Sequence, residues 1–180
     1  MTKLTEFLTP EHIQQGVFIS SKKRALELVG KIVASSLNSD SDEQICPIEC
    51  FANLFKREKL GSTALNNGVA LPHAKLPSND IIQLEKPIAV FLQLETPIDY
   101  DAADNKEVDL IYAILFPEQH CEQYKSSLPQ IAQQLSDKNL IKHLRNATSA
   151  EDIWQILHYV DQHNTEQHLE EQELTETTEA

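Results

Sequence analysis

The stretch EKLGSTALNNGVALPHAKLP, residues 58–77, decides how the chain is read. The protein has only four glycines, and two of them, Gly61 and Gly68, fall here, just ahead of Pro72-His73. Pro72 lacks an N–H and drives Leu71 into an extended conformation. Val69-Ala70-Leu71 is therefore expected to be a strand that stops at Pro72, with His73 at its end. The two glycines allow tight turns or close approach of backbone N–H groups to a ligand. Between them lie the hydroxyls of Ser62 and Thr63 and the amides of Asn66 and Asn67. Arg57 stands just upstream, at the end of a predicted helix.

An imidazole with hydroxyl and amide donors and a guanidinium nearby is suited to a phosphoryl group. Neutral imidazole is a competent nucleophile near neutral pH. Arginine and hydroxyls match the spread charge on the equatorial oxygens of a transferring phosphoryl. From the residues alone a second reading stays open, a hairpin-like loop with a hydrophilic histidine at its edge. The chain has no GxxxxGK[ST], no GxGxxG and no G-x-S-x-G elbow, so a P-loop, a dinucleotide fold and a serine hydrolase lack their signatures.

Around this stretch the pattern is helices, then strands, then helices. Ala25, Leu28, Val29, Ile32, Val33 and Leu37 recur at helical spacing from Ser20 to Leu37, with Ser20 or Ser21 as the cap. A second helix is expected from Asp42 to Arg57. The runs GVAL, IAVFLQL and VDLIYAIL read as strands. Helical patterns follow over 121–136, 138–147 and 150–162. The order implies an α/β fold, one compact sheet with helices packed on it.

Composition sets the outer limits. With 180 residues, 41% hydrophobic, the chain fits one domain with a sizeable core. A formal charge of −13 opposes binding to nucleic acid or an anionic membrane. No apolar run approaches the roughly 20 residues of a spanning helix, so no membrane insertion is expected. The first residues carry neither the basic nor the apolar region of a secretory signal. Three cysteines form no disulfide framework, and the expected location is the cytoplasm. Cys46 and Cys50 at i,i+4 make half a metal site with nothing to complete it, so no metal or cofactor is expected. His12, His143, His158, His163 and His168 are scattered and read as surface or capping residues. Residues 163–180 are expected to form an acidic, disordered tail, since 164–180 hold six glutamates and no lysine, arginine or aromatic residue; a short amphipathic helix around Leu169 and Leu174 is the alternative.

REKLGSTALNNGVALPHAKL, residues 57–76, resembles the active-site segment of the enzyme IIA domains of the bacterial phosphoenolpyruvate-dependent phosphotransferase system. The likeness is to the mannitol/fructose superfamily, and within it to the nitrogen-regulatory type. SKKRALELV, FLQLETPIDYDAADNKEVDLIYAIL and LSDKNLIKHLR extend it over nearly the whole chain before the tail, giving a type-2 IIA domain over 1–162. The resemblance implies a mixed β-sheet flanked by helices and a phosphohistidine at His73, bonded through Nε2. It implies that Arg57, Ser62 and Thr63 surround the phosphate, with Asn67, His120 and Tyr124 as candidates for further contacts. The family often carries a second histidine near the first; Tyr124 falls at that position, and His120 lies four residues earlier. Ala64, Asn66 and Ala74 stand where glycine is common in the nitrogen type. The implied partners are a histidine-phosphorylated, HPr-like carrier protein and regulatory or transport proteins in metabolism or ion transport. The alternative is a sugar-specific IIA that passes phosphate to a permease B domain.

Overall fold

The computed structural model describes residues 1–38, 45–79 and 82–178. Its sheet contains β1 (Ile13–Val17), β2 (Val69–Ala70), β3 (His73–Leu76), β4 (Ile88–Ile98) and β5 (Val108–Pro117). The strand order is β1-β4-β5-β2, with β3 also pairing on β5. β4 and β5 are antiparallel, while β1 runs parallel to β4, and β2 and β3 run parallel to β5. The helices are α1 (Lys22–Asn38), α2 (Pro47–Lys59), α3 (Ser127–Gln134), α4 (Lys138–Asn146) and α5 (Ala150–Thr178).

β5, and β4 as far as Leu94, are almost wholly apolar because both of their faces are covered. Side chains alternate across a strand. Ala89, Phe91, Leu110, Tyr112 and Ile114 therefore join one core with Ile131, Leu144, Ile153 and Leu157 of α3 to α5. Val90, Leu92, Ile111, Ala113 and Leu115 join the other, with Leu26, Val29, Val33, Cys50 and Leu54 of α1 and α2. Continuous apolar runs are what a doubly covered sheet demands.

Several local expectations change. The expected start of α2 at Asp42 lies outside the described residues; the helix seen begins at Pro47, a residue suited to the first turn because that N–H has no intrahelical partner. The strand at Val69 does stop before Pro72, yet pairing resumes at once: Ile114 N–H donates to Pro72 O at 3.0 Å, and His73 opens β3. His73 thus begins a strand; it does not end one. The helix expected over 121–136 is divided. A 3-10 segment spans Glu118–Tyr124, His120 leaves helical geometry at φ −122°, and α3 starts only at Ser127. β1 was not legible, since IQQGV buries only Ile13 fully.

Residues 163–178, expected to be disordered, continue α5 as helix. Ile153, Leu157 and Asp161 anchor the helix in the body. Once that nucleus exists each added residue only propagates it, and Glu, Gln and Leu propagate well. Asn164 reaches back to Gln134 at 3.3 Å, while Leu169 and Leu174 stay 57% and 68% exposed.

Candidate functional site

The C-terminal end of α2, the turn after it and the start of β3 converge on one groove of about 680 Å³. Arg57 arrives from the last turn of α2, His73 and Lys75 from β3, Phe116 from β5, Tyr124 from the 3-10 segment and Leu128 from α3. Lys56 and Lys125 stand at the same groove with Glu118 and Glu122, Lys125 lying 3.9 Å from Glu122, so the lining keeps a positive excess against the chain's negative balance. A second cleft, of about 770 Å³, is lined by Leu140, His143, Ile156 and Tyr159 and by none of the candidate site residues. Chemistry, and not size, singles out the groove at His73.

His73 is half-buried, and its Nδ1 lies 2.8 Å from Leu71 O. A carbonyl only accepts, so Nδ1 carries the proton and donates it. In neutral imidazole the lone pair then sits on Nε2. Burial, foremost, holds the His73 pKa below its ordinary 6.5; the Leu71 hydrogen bond opposes that, the Arg57 cation adds to it, and Glu58 opposes it again. The ring is thus kept neutral, with one nitrogen tied and the other nucleophilic.

Arg57 is oriented by its own turn: Nη1 donates to Gly61 O at 2.9 Å. Ser62 and Thr63 lie close in the chain but turn elsewhere. Ser62 Oγ donates to Tyr100 O at 2.7 Å and accepts from Ala64 N–H at 3.2 Å. Thr63 is buried, its Oγ1 donating to Glu58 Oε1 and its N–H to Glu58 Oε2 at 3.2 Å. Neither residue lines the groove.

Asn67 is not brought to His73. Its N–H donates to Asp104 at 3.2 Å, and its carbonyl accepts from Arg145 Nη2. Asn67 precedes the residue that bonds Asp109, whereas His73 pairs with Ile114, a separation of roughly 16 Å along the strands. Both Asn67 (φ 68°) and Gly68 (φ 80°) are left-handed, and a Cβ on Gly68 would come within 3.1 Å of Glu107 O. Gly68 therefore serves this turn and not the site. His120 is exposed at the kink and is absent from the groove wall. Tyr124 does line it, held edge-on against Phe7 with ring centroids 5.5 Å apart.

Sequence reasoning missed Glu58, Lys22 and Tyr100. Glu58 is 6% exposed and accepts from Lys22 Nζ at 2.8 Å and Tyr100 OH at 3.1 Å, besides Thr63. One signal was present: a glutamate in the last turn of a helix opposes the helix dipole and needs a compensating partner. His12, expected as a surface or capping residue, is 6% exposed with Nδ1 3.2 Å from Ala89 O. Cys46 is exposed, while burial pushes the Cys50 thiol up to about 11, which keeps it protonated and inert. Among the described residues no group of three or more His, Cys, Asp or Glu could hold a metal ion. No described helix is long and apolar enough to cross a membrane.

Comparison with known proteins identifies the family and the fold. Residues 6–160 match the family described as phosphoenolpyruvate-dependent sugar phosphotransferase system, EIIA 2. A nitrogen regulatory protein homolog of Haemophilus influenzae is 49% identical over 163 residues, 91% of this chain and 95% of that one. The crystal structure of nitrogen regulatory protein IIA-Ntr from Neisseria meningitidis superposes with a TM-score of 0.73 at 31% identity, covering 86% of this chain and 98% of that one. IIA mannitol from Escherichia coli, at 22% identity and a TM-score of 0.62, shares the fold over 83% of this chain and 98% of its own. A mixed sheet flanked by helices, a groove closed on a tautomer-locked histidine and a match over most of the chain lead to one assignment: this protein belongs to the EIIA type-2 family of the phosphotransferase system.

Proposed function

We propose that the chain accepts a phosphoryl group on Nε2 of His73 from a histidine-phosphorylated, HPr-like carrier protein. We propose further that its phosphorylation state governs binding to regulatory or transport proteins. The observation that carries the first reading is the 2.8 Å bond from His73 Nδ1 to Leu71 O, which leaves Nε2 as the free nucleophile in the groove.

In the transfer, the Nε2 lone pair attacks phosphorus and a new N–P bond forms. The N–P bond to the donor imidazole breaks, and its electron pair stays with the donor nitrogen. Nδ1–H keeps its bond to Leu71 O throughout, so the ring neither turns nor needs to lose a proton before attack. Arg57, with Lys56 and Lys75 at the same groove, offsets charge on the equatorial oxygens. The apolar surface of Phe116, Tyr124 and Leu128 lowers the local dielectric and strengthens those contacts.

Phosphorylation would add about two negative charges and three acceptor oxygens to this groove. A partner that inserts apolar or acidic groups would lose affinity, and one that presents arginine would gain it. The nitrogen regulatory relatives favour this switching role over delivery to a sugar permease.

Incubation with phosphoenolpyruvate, enzyme I and the carrier should add one acid-labile, base-stable phosphate per chain, and none to His73→Ala. Full labelling of His73→Ala, or label on Ser62, overturns the site. Capture of the same partners by both phosphorylation states, with rapid passage of phosphate to a cysteine of a sugar-permease B domain, overturns the regulatory half.

A further inference from the structure

Glu58 is a buried carboxylate that the transfer step does not use. Its side chain is 3% exposed, and each oxygen accepts twice. Oε2 takes Lys22 Nζ at 2.8 Å and Thr63 N–H at 3.2 Å; Oε1 takes Thr63 Oγ1 and, at 3.1 Å, Tyr100 OH. Lys22 also lies 4.5 Å over the Tyr100 ring, so the first turn of α1, the last turn of α2 and the segment after β4 meet on one anion. Burying such a charge is costly unless it is paired and fully hydrogen-bonded, and here it is both.

Two chains of hydrogen bonds leave Glu58, one from its carboxylate and one from its backbone carbonyl, and both end at the groove. In the first, Glu58 fixes Thr63 through its N–H and hydroxyl; Thr63 O accepts from Leu71 N–H at 3.0 Å; Leu71 O accepts from His73 Nδ1 at 2.8 Å. In the second, Gly61 N–H donates to the Glu58 carbonyl at 3.2 Å, and Gly61 O accepts from Arg57 Nη1 at 2.9 Å. The nucleophile and the guanidinium therefore hang from the same residue. Ser62 braces the turn from its other side through Tyr100 O.

We propose that the Glu58 carboxylate, acting through Thr63, is the positioning group that locks the His73 tautomer, while the Glu58 backbone carbonyl holds the Gly61 turn that aims Arg57 into the groove. Lys22 pairs with the buried Glu58 carboxylate at 2.8 Å and is its counter-charge. This inference rests on the phosphoryl-transfer reading for its kinetic consequence, but its geometric core, the tautomer lock, can be read without any transfer. A misplacement of about 1 Å in a transfer site can cost about 100-fold in rate.

The test uses the full chain, labelled with 15N in its histidines, and two variants. Wild-type His73 should give the imidazole 15N pattern of a single neutral tautomer with the proton on Nδ1. Thr63→Val removes the hydroxyl and keeps the backbone bond; it should slow transfer about 3–10-fold and admit the second tautomer. Glu58→Ala removes the carboxylate and with it the first chain, while the backbone bond to Gly61 remains; it should slow transfer about 10–100-fold with a mixed tautomer signal. Because Glu58→Ala strands Lys22 and can unfold the chain, Thr63→Val decides the matter if it does. A folded variant with lower melting temperature but the wild-type tautomer and rate overturns the proposal. Wild type with the tautomer locked but no phosphate taken up overturns the functional reading and leaves the positioning role standing.

Discussion

Arg57→Ala isolates the charge that the site brings to the phosphoryl group. The guanidinium is held at the groove by its bond to Gly61 O, so it is oriented before any donor arrives. A unit charge about 4 Å from an anionic oxygen is worth about 4 kcal/mol at an effective dielectric near 20. Arg57 is half-buried, and screening by solvent takes roughly half of that. About 2 kcal/mol remains, a loss of about 30-fold in rate, below the 100- to 1,000-fold typical of a fully enclosed donor. The Arg57 cation is also one of the influences that lower the His73 pKa, so the variant should titrate slightly higher. Above pH 7.5 that change leaves the ring neutral, and the rate loss then reports phosphoryl charge alone. Single-turnover transfer from the phosphorylated carrier at pH 7.5 and 8.5 separates the two effects. Arg57→Lys keeps the charge, loses the fork and should fall between alanine and wild type. A rate for Arg57→Ala within about twofold of wild type, with His73 intact, would refute the electrostatic role. Arg57 would then be only the clasp of its own turn.

Three further outcomes follow from the same geometry. The His73 ring should titrate below 6.5 by NMR; its contribution to stability should be complete above 6.5 and decline as pH falls from 6.5 to the lowered folded value, which urea midpoints at pH 7.5 and 5.5 would register. Asp161 accepts from Leu4 N–H at 2.7 Å, Thr5 N–H at 3.0 Å and Thr5 Oγ1 at 2.6 Å, so Asp161→Ala should cost about 1–3 kcal/mol and speed hydrogen exchange at Leu4 and Thr5; unchanged exchange there would deny the clamp. Deleting residues from Thr165 onward should lower helix content while leaving melting temperature and transfer nearly unchanged, because Leu169, Leu174 and the acidic side chains there are exposed; a large loss of either would show that this segment docks on the body.

The parts of the fold that were legible are those whose pattern is fixed by burial. β5, and β4 as far as Leu94, are covered on both faces, and only near-continuous apolar runs satisfy that. α1 declares itself by one apolar stripe, with Ser21 Oγ accepting from Arg24 N–H at 3.3 Å at its start. β1 was invisible because an edge strand of IQQGV owes its place to parallel pairing with β4 and not to its own side chains. The stretch beyond Gln162 was read as disordered from its composition, which weighs burial but not the low cost of extending a helix already nucleated. At the site, His73 and Arg57 were legible because proline, glycine and the helix end mark them. The destinations of the Ser62 and Thr63 hydroxyls were not, since Tyr100 and Glu58 meet them through contacts 38 and 5 residues apart in the chain. Asn67 was read as a candidate contact of His73 because it lies six residues away in the chain, and His120 because the family often carries a second histidine close to the register of Tyr124. Parallel pairing of β2 and β3 along β5 carries Asn67 to the other end.

The most direct measurement is a 31P–15N correlation on the chain phosphorylated by its carrier. The His73 tautomer set by Leu71 predicts one phosphorus resonance coupled to Nε2 of His73, with Nδ1 still protonated. A phosphorus coupled to Nδ1, or bonded to any residue other than His73, would contradict the account.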